Sequence, residues 1–357
     1  MNKKALIAMS GGVDSSVSAF LMKKQGYDCM GVTMKLFQND DVGVAREQSC
    51  CSLDDVEDAR SVAFSLGIPY HVFNFSDRFQ EEVMDRFVRS YENGITPNPC
   101  IDCNRYLKFQ KLFLRAKELG YDYIVTGHYA QIVFDEKIGR FLLKKAVDPH
   151  KDQSYVLYSL TQEQLAHIQF PLGGMNKSDV RKIAEEQGFI NARKHDSQDI
   201  CFVQDGKYAN FIEQYTGKTY PDGNFVDKNG KVLGRHKGII RYTIGQRKGL
   251  GLALPQSMYV CSVNPSENTV ILGTNDDLFS KDLIAKDINL ISVEHIDTPL
   301  RLKAKIRYAQ PEQWATVTQL DDDTLSVVFD EPQRAITKGQ SVVLYDGDVV
   351  VGGGTIQ

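Results

Sequence analysis

The chain has 357 residues, 42% hydrophobic and 25% charged, with 42 basic against 46 acidic side chains and seven cysteines. That length favours two or three domains with cores that need no disulfides, and the composition excludes collagen-like, disordered and disulfide-scaffold classes. No apolar run approaches the roughly 18 residues of a membrane span, and Ala5–Met9 is too short for a signal-peptide core, so a cytoplasmic protein with reduced thiols is expected.

The first 130 residues alternate strand and helix. Ala5–Met9 is a short apolar run entering Ser10-Gly11-Gly12, as a buried strand enters a turn. Ser15–Gln25 carries Val17, Phe20 and Leu21 at helical spacing, with Gly26 as a stop. Cys29–Met34 reads as a strand. Leu53–Leu66 reads as a helix with acidic first turns and one apolar face. A strand at Tyr70–Phe75, helices at Asp77–Tyr91 and Asn104–Leu119, and a strand at Tyr123–Thr126 follow. Such repetition predicts a parallel sheet with helices on both faces. Ligands of such sheets bind beyond the carboxyl ends of the strands, where Ser10 and Gly127 stand. Helices are expected at Thr161–Ile168 and Lys177–Gln187.

After about Val203 the texture changes. Val226–Leu233 reads as a hairpin around Asn229-Gly230. From Leu278 short alternating runs predict an all-β domain, a small barrel. Gly352-Gly353-Gly354 in that region reads as a tight strand bend. The expected domains are 1–203, 204–276 and 277–357. Their charges differ: residues 204–276 hold nine basic and six acidic side chains, and residues 277–357 eight and thirteen. From Lys228 to Ser266 there is no Asp or Glu but there are seven Lys or Arg, a stretch that attracts phosphates.

Ser10-Gly11-Gly12-Val13-Asp14-Ser15-Ser16 joins a strand to a helix. Glycines let backbone approach an anion, and a helix N-terminus offers unpaired N–H groups. The lysine of a Walker A loop is missing, so the loop suits a pyrophosphate held by backbone and hydroxyls, with Asp14 able to hold magnesium on it. Cys100 and Cys103 stand at i and i+3, just before the helix expected from Asn104, where a thiol is activated. Cys201 lies in a polar loop far along the chain. Cysteines brought over a nucleotide site suggest sulfur transfer, whereas ordinary burial is the plain alternative. Cys50-Cys51 read as a variable surface loop, and Cys29 and Cys261 as core. The histidines lack zinc spacing.

The loop resembles the signature of the PP-loop ATP pyrophosphatases, which cleave ATP between its α and β phosphates to adenylate an oxygen. With Gly31–Lys35, Asn98–Lys108, Thr126–Tyr129, Lys151–Tyr155, Cys201-Phe202, Tyr242–Gly251, Arg307-Tyr308, Phe329–Pro332 and Gly339-Gln340, the chain resembles the bacterial tRNA-specific 2-thiouridylase family over nearly its full length. That resemblance implies a PP-loop domain of the adenine nucleotide α-hydrolase type, a small central domain and a C-terminal β-barrel. It implies ATP contacts at Ala8, Met9, Ser10, Gly11, Gly12, Val13, Asp14, Ser15, Met34 and Gly127. Cys103 aligns with the nucleophile and Cys201 with the persulfide carrier. Asn98, Pro99 and Cys100 match the segment that holds the target base, and His128, Lys151, Asp152, Gln153, Arg307, Tyr308 and Gln340 match tRNA contacts. Some members carry Asp in place of Cys100.

The implied reaction is ATP-dependent 2-thiolation of the wobble uridine of tRNA, with ATP and magnesium as cofactors and no resident metal. The implied partners are tRNA and a persulfide donor, a cysteine desulfurase or sulfur-relay protein, with no membrane. A second reading places an iron–sulfur cluster on Cys100, Cys103 and Cys201. Rival functions are a small-molecule PP-loop synthetase and a non-catalytic RNA-binding protein.

Overall fold

A computed structural model describes residues 2–37, 53–196, 200–203 and 206–357. Cys50 and Cys51 lie outside the described residues, as do Ser197, Gln198 and Asp199. The chain forms two compact units. The first comprises Met1–Val83, Cys100–Gly206 and Asp348–Val350, and the second Met84–Pro99, Lys207–Gly347 and Val351–Gln357.

The first unit is built on the expected parallel sheet. Strands β1 (Lys4–Ala8), β2 (Asp28–Lys35), β3 (Tyr70–Asn74) and β4 (Tyr123–Val125) are joined by β7 (Ile168–Gln169), in the order β3-β2-β1-β4-β7. All four pairings are parallel. Side chains alternate across a strand. Ala5 and Ile7 therefore enter a core with Val17, Ala59, Val62, Ala63, Val180 and Ala184, while Leu6 is fully buried on the other side. Burying each such Ile or Leu contributes roughly 1.5–3 kcal/mol. Strand order reverses at β1, so the loops after β1 and β4 flank the switch point where nucleotides bind in such sheets.

Sequence patterning missed β7 and the hairpin of β5 (Ala130–Asp135) and β6 (Arg140–Lys145). β7 has two residues, too few to show a period. The helix expected from Asn104 begins earlier, at Pro99: Pro99–Asp102 is α-helical, Cys103–Lys111 π-helical and Leu112–Glu118 α-helical. Cys100 and Cys103 thus stand within the helix rather than before it. Proline is well placed at a helix's first position because its missing N–H would have had no partner there.

In the second unit, β8 (Gly223–Val226), β9 (Val232–His236), β10 (Tyr259–Asn264) and β11 (Thr269–Gly273) form a sheet ordered β10-β11-β8-β9 around Phe225, Tyr242, Val260 and Leu272. The hairpin around Asn229-Gly230 is present as β8–β9. A helix at Tyr208–Thr216 was not foreseen. Strands β12 (Phe279–Leu290), β13 (Leu300–Lys305), β14 (Gln313–Asp321), β15 (Thr324–Arg334), β16 (Ser341–Asp346) and β17 (Val349–Ile356) run β12-β15-β14-β13-β16-β17, and β12 pairs with β17 to close a six-stranded barrel. The three glycines expected to bend a strand lie inside β17 instead. Gly352 faces Leu290 and Gly353 faces Asn289. A Cβ on Gly352 would lie 2.3 Å from the Asn289 carbonyl oxygen, so close backbone approach, not a bend, requires glycine there.

The segment Met84–Pro99 belongs by sequence order to the first domain but packs in the second unit. Its helix Asp85–Glu92 stacks Tyr91 on Tyr208 at 4.6 Å, and Tyr215 donates to Asp85 at 2.7 Å.

Candidate active site

The Ser10–Ser16 loop follows β1 and opens helix α1 (Val13–Lys24). Gly11 has φ +75°, and a Cβ there would strike the Asp55 carbonyl oxygen at 2.3 Å. Only glycine fits on both counts. Ser15 and Ser16 each donate from Oγ to the Gly12 carbonyl at 3.0 Å, and the Ser10 N–H donates to Ser15 Oγ at 3.2 Å. Gly127, after β4, packs so closely that a Cβ would lie 2.9 Å from the Asp14 carbonyl carbon. The glycine at that strand end thus sets the distance between the two loops of the switch point.

Asp14 is the centre of a charged network. Lys177 Nζ donates to both of its carboxylate oxygens at 2.7 Å, and the Tyr129 hydroxyl donates to Oδ1 at 2.7 Å. Lys177 Nζ also pairs with Asp196 Oδ1 at 2.7 Å, and Asp196 takes Lys151 at 2.7 Å and Arg181 at 3.1 Å. Burial pulls the Asp196 carboxyl upward, but hydrogen bonds from Lys151 and Lys177 outweigh it and hold the group below its ordinary value. Burial and the neighbouring Asp14 charge push the Tyr129 phenol far up, so it stays a donor. Sequence reasoning gave Asp14 to the magnesium that accompanies the phosphates of ATP; here its carboxylate accepts from an ammonium and a phenol.

A second brace lies behind the loop. Asn191 Nδ2 donates to the Gly11 carbonyl and to Ser16 Oγ, each at 2.9 Å. Lys194 reaches Asp55 and Asp58 at 2.6 Å each.

Cys103 and Cys201 are both half-buried in the first unit, and Cys100 is exposed. Cys103 opens the π-helical stretch one turn after Pro99. Among the described residues no group of three or more His, Cys, Asp or Glu side chains is disposed to hold a metal ion. Cys29 is core as expected, and burial pushes its thiol up to about 11. Cys261 is only half-buried.

Residues 3–205 match the family described as "tRNA methyl transferase HUP domain", residues 209–274 its PRC-barrel domain and residues 280–356 an aminomethyltransferase β-barrel domain. A tRNA-specific 2-thiouridylase of Clostridioides difficile is 56% identical over 357 residues, covering 100% of this chain and 99% of the relative. One of Acetivibrio thermocellus is 52% identical over 356 residues, 99% of each. The chain belongs to the tRNA-specific 2-thiouridylase family. Among solved structures, a 4-thiouridine synthetase–RNA complex with bound ATP is 19% identical, covering 60% of this chain and 50% of that chain with a TM-score of 0.38.

The residues that resemblance to the 2-thiouridylase family assigned to tRNA are placed unevenly. His128 is buried between Phe109 and Phe170, with Nδ1 2.7 Å from Thr126 Oγ1. Burial, helped by the Lys108 charge, holds its pKa well below the usual range, so the imidazole is neutral. Lys151 is drawn to Asp196; Asp152 accepts from Ala146 and Ser154; Gln153 Oε1 accepts from the Tyr129 N–H at 2.9 Å. These three build the turn that holds Tyr129 and Asp196. Arg307 donates to the Ala335 carbonyl at 2.8 Å, while Tyr308 is 44% exposed beside Lys305. Gln340 Nε2 donates to the carbonyls of Thr96 and Pro97.

Sequence reasoning missed Lys177, Asn191 and Lys194. For Lys177 a signal existed: it is the first residue of helix Lys177–Glu186, where the dipole disfavours a cation. That helix end is instead capped from afar, since Asp148 Oδ2 accepts the Lys177 N–H at 3.0 Å. No comparable pattern marks Asn191 or Lys194.

Proposed function

We propose that this chain 2-thiolates the wobble uridine of tRNA at the expense of ATP. The observation that carries the proposal is full-length membership of the 2-thiouridylase family together with a glycine–serine loop at the sheet's switch point. Residues 1–203 act as the catalytic domain, 204–276 as a basic central domain and 277–357 as the barrel domain.

ATP enters as its magnesium complex and lays its phosphates along Ser10–Ser15, with Ala8, Met9, Met34 and Gly127 around the nucleotide. The target base is turned out of its stack, since chemistry at C2 needs access to it. The C2 oxygen attacks the α-phosphorus. The bond from that phosphorus to the α–β bridging oxygen breaks, and its electron pair leaves with pyrophosphate. Negative charge grows on the departing group, where preorganised N–H donors and a cation are most effective. Lys177 is the cation at hand: it can exchange the Asp14 carboxylate for a phosphate oxygen and stay paired with Asp196. Adenylation turns the C2 oxygen into part of a good leaving group, AMP.

Sulfur arrives on Cys201 as a persulfide from a donor protein. The Cys103 thiolate attacks the inner sulfur, releasing hydrosulfide that adds to C2 and expels AMP. In the variant order, the terminal persulfide sulfur adds to C2 before Cys103 attacks. Either way a Cys103–Cys201 disulfide forms, and a thiol reductant must reset it. Three cysteines scattered this way are a weak cluster signature beside four at tight spacing, which favours the relay.

The test is mass analysis of tRNA nucleosides after incubation with ATP and a persulfide donor. The expected result is 2-thiouridine with matching AMP and pyrophosphate. Thiolation that appears only with about four irons per chain would overturn the relay. Turnover of ATP on free nucleotides without tRNA would favour a small-molecule synthetase.

A further inference from the structure

A peptide between two glycines turns over at little steric cost, so the Gly11-Gly12 peptide has to be held in one orientation by groups outside it. In a planar trans peptide the carbonyl and the following N–H point in opposite directions, and the described residues contain no cis peptide bond. Whatever fixes the Gly11 carbonyl therefore also fixes where the Gly12 N–H points. Two donors reach that carbonyl, Asn191 Nδ2 at 2.9 Å and Lys194 Nζ at 3.3 Å. Lys194 lies closer to Asp55 and Asp58, at 2.6 Å each, which leaves Asn191 as the tighter tether. An amide nitrogen carries two hydrogens. Asn191 spends the second on Ser16 Oγ at 2.9 Å, and that hydroxyl donates to the Gly12 carbonyl at 3.0 Å. The Gly12 carbonyl has Ser15 Oγ as a further donor at 3.0 Å.

Asn191 is itself held. It lies in the turn that follows helix Lys177–Glu186, whose Val180 and Ala184 pack in the core with Val17. The Phe189 N–H donates to the Ala184 carbonyl and the Lys194 N–H to the Asn191 carbonyl, each at 3.0 Å. The side chain is buried, and its Oδ1 has no partner among the described residues. The Gly11 carbonyl can only accept, which sets the amide's orientation. A buried acceptor left unpaired opposes folding, and leucine, of similar size, would avoid that cost. What the amide adds is its pair of donors.

We propose that Asn191 is a positioning residue for the adenylation step: it holds the Gly11 carbonyl on its own side of the loop and so aims the Gly12 N–H at the phosphates of ATP. This rests on the reading of Ser10–Ser16 as the phosphate loop. The helix that ends shortly before Asn191 begins at Lys177, so one element sets both a cation and a backbone donor against the same phosphates. Negative charge grows on the departing pyrophosphate, where a donor already in place counts most. A released peptide can turn its carbonyl toward the phosphates and exchange an attraction for a repulsion.

The experiment compares Asn191→Leu and Asn191→Asp, which both lack the amide donors, with the unaltered chain, after a thermal-unfolding check. Binding of magnesium-ATP, inorganic pyrophosphate and adenosine is titrated, and pyrophosphate release with tRNA is followed at saturating ATP. The expected result is a Kd at least tenfold higher for ATP and pyrophosphate, a Kd for adenosine unchanged within twofold, and turnover at least tenfold lower. A site loosened as a whole would lose adenosine as well, so equal losses for adenosine and ATP would overturn the proposal. Unchanged ATP and pyrophosphate binding in folded variants would do the same. One readout needs no variant: the Gly12 amide resonances of the unaltered chain should shift when pyrophosphate binds, and resonances that stay in place would refute the aim given to that N–H. If even the unaltered chain binds neither ATP nor pyrophosphate, the phosphate-loop reading falls and takes this proposal with it. ATP bound equally well by all three chains removes the proposal alone.

Discussion

The Ser10–Ser16 loop and the Ile95–Asn98 segment are both irregular backbone that has to be held still, and they are held by different forces. The loop is braced by its own hydroxyls and by ions: Lys177 on Asp14, and Lys194 on Asp55 and Asp58. The segment is clasped by neutral hydrogen bonds from Gln340 and Lys338. An ionic brace can hand its cation from a carboxylate to a phosphate oxygen, which suits a site that admits phosphates. A neutral clasp has nothing to trade, which suits a segment that keeps its shape while substrate comes and goes.

The largest effect separates the ionic brace from the rest. Lys177→Met and Asp14→Ala should each reduce ATP-to-AMP turnover at least a hundredfold, about 2.7 kcal/mol of transition-state stabilisation, while tRNA still binds. Pyrophosphate release is the measurement, and normal turnover in either variant would sink the role given to the network. Lys177→Arg should recover part of the activity, because it keeps the charge but not the reach.

Next come the thiols. Cys103→Ser and Cys201→Ser should each stop thiolation while ATP and tRNA still bind. Cys100→Ser should retain more activity, in line with its exposed position. Nucleoside mass analysis checks this, and an equal loss in all three variants would revive the cluster.

The basic stretch gives a smaller effect. Arg241 is drawn to Glu213 at 2.6 Å and Lys228 pairs with Asp277, so these brace the fold. Arg247 and Lys248 are exposed. Replacing both with Glu should weaken tRNA binding and flatten its salt dependence by roughly 0.7–0.9 in log–log slope for each phosphate no longer neutralised. Binding measured at several salt concentrations tests it, and an unaltered slope would remove this pair from the tRNA surface.

The smallest effect concerns pH. His128 is buried neutral with a depressed pKa, so its contribution is fully present above the unfolded value of about 6.5 and is lost as pH falls below that. Stability should decline by up to about 1.4 kcal/mol per pH unit below 6.5 on its account, and His128→Gln should flatten that slope. Urea unfolding at pH 7.5, 6.5 and 5.5 measures it. Asp196 acts lower: its depressed pKa contributes stability present above about 3.9 and lost only below it, so the ionic brace should survive that range.

By itself the sequence determined the parallel sheet, because buried strands and amphipathic helices carry their periods locally. It determined the loop too, since Gly11 answers to a backbone geometry that a short motif encodes. It marked the cysteines, though it set the helix start at Asn104 when Pro99 begins it. Tertiary structure alone decided what completes the site. Lys177 stands 163 residues from Asp14, and Asn191 a further stretch along, so no local pattern could assign them to the loop. It also decided that His128 is a packed neutral side chain and that Met84–Pro99 packs with the second unit. Those outcomes depend on which carbonyl or carboxylate lies within hydrogen-bond reach, and that is set by packing between segments distant in sequence rather than by any residue's own propensity.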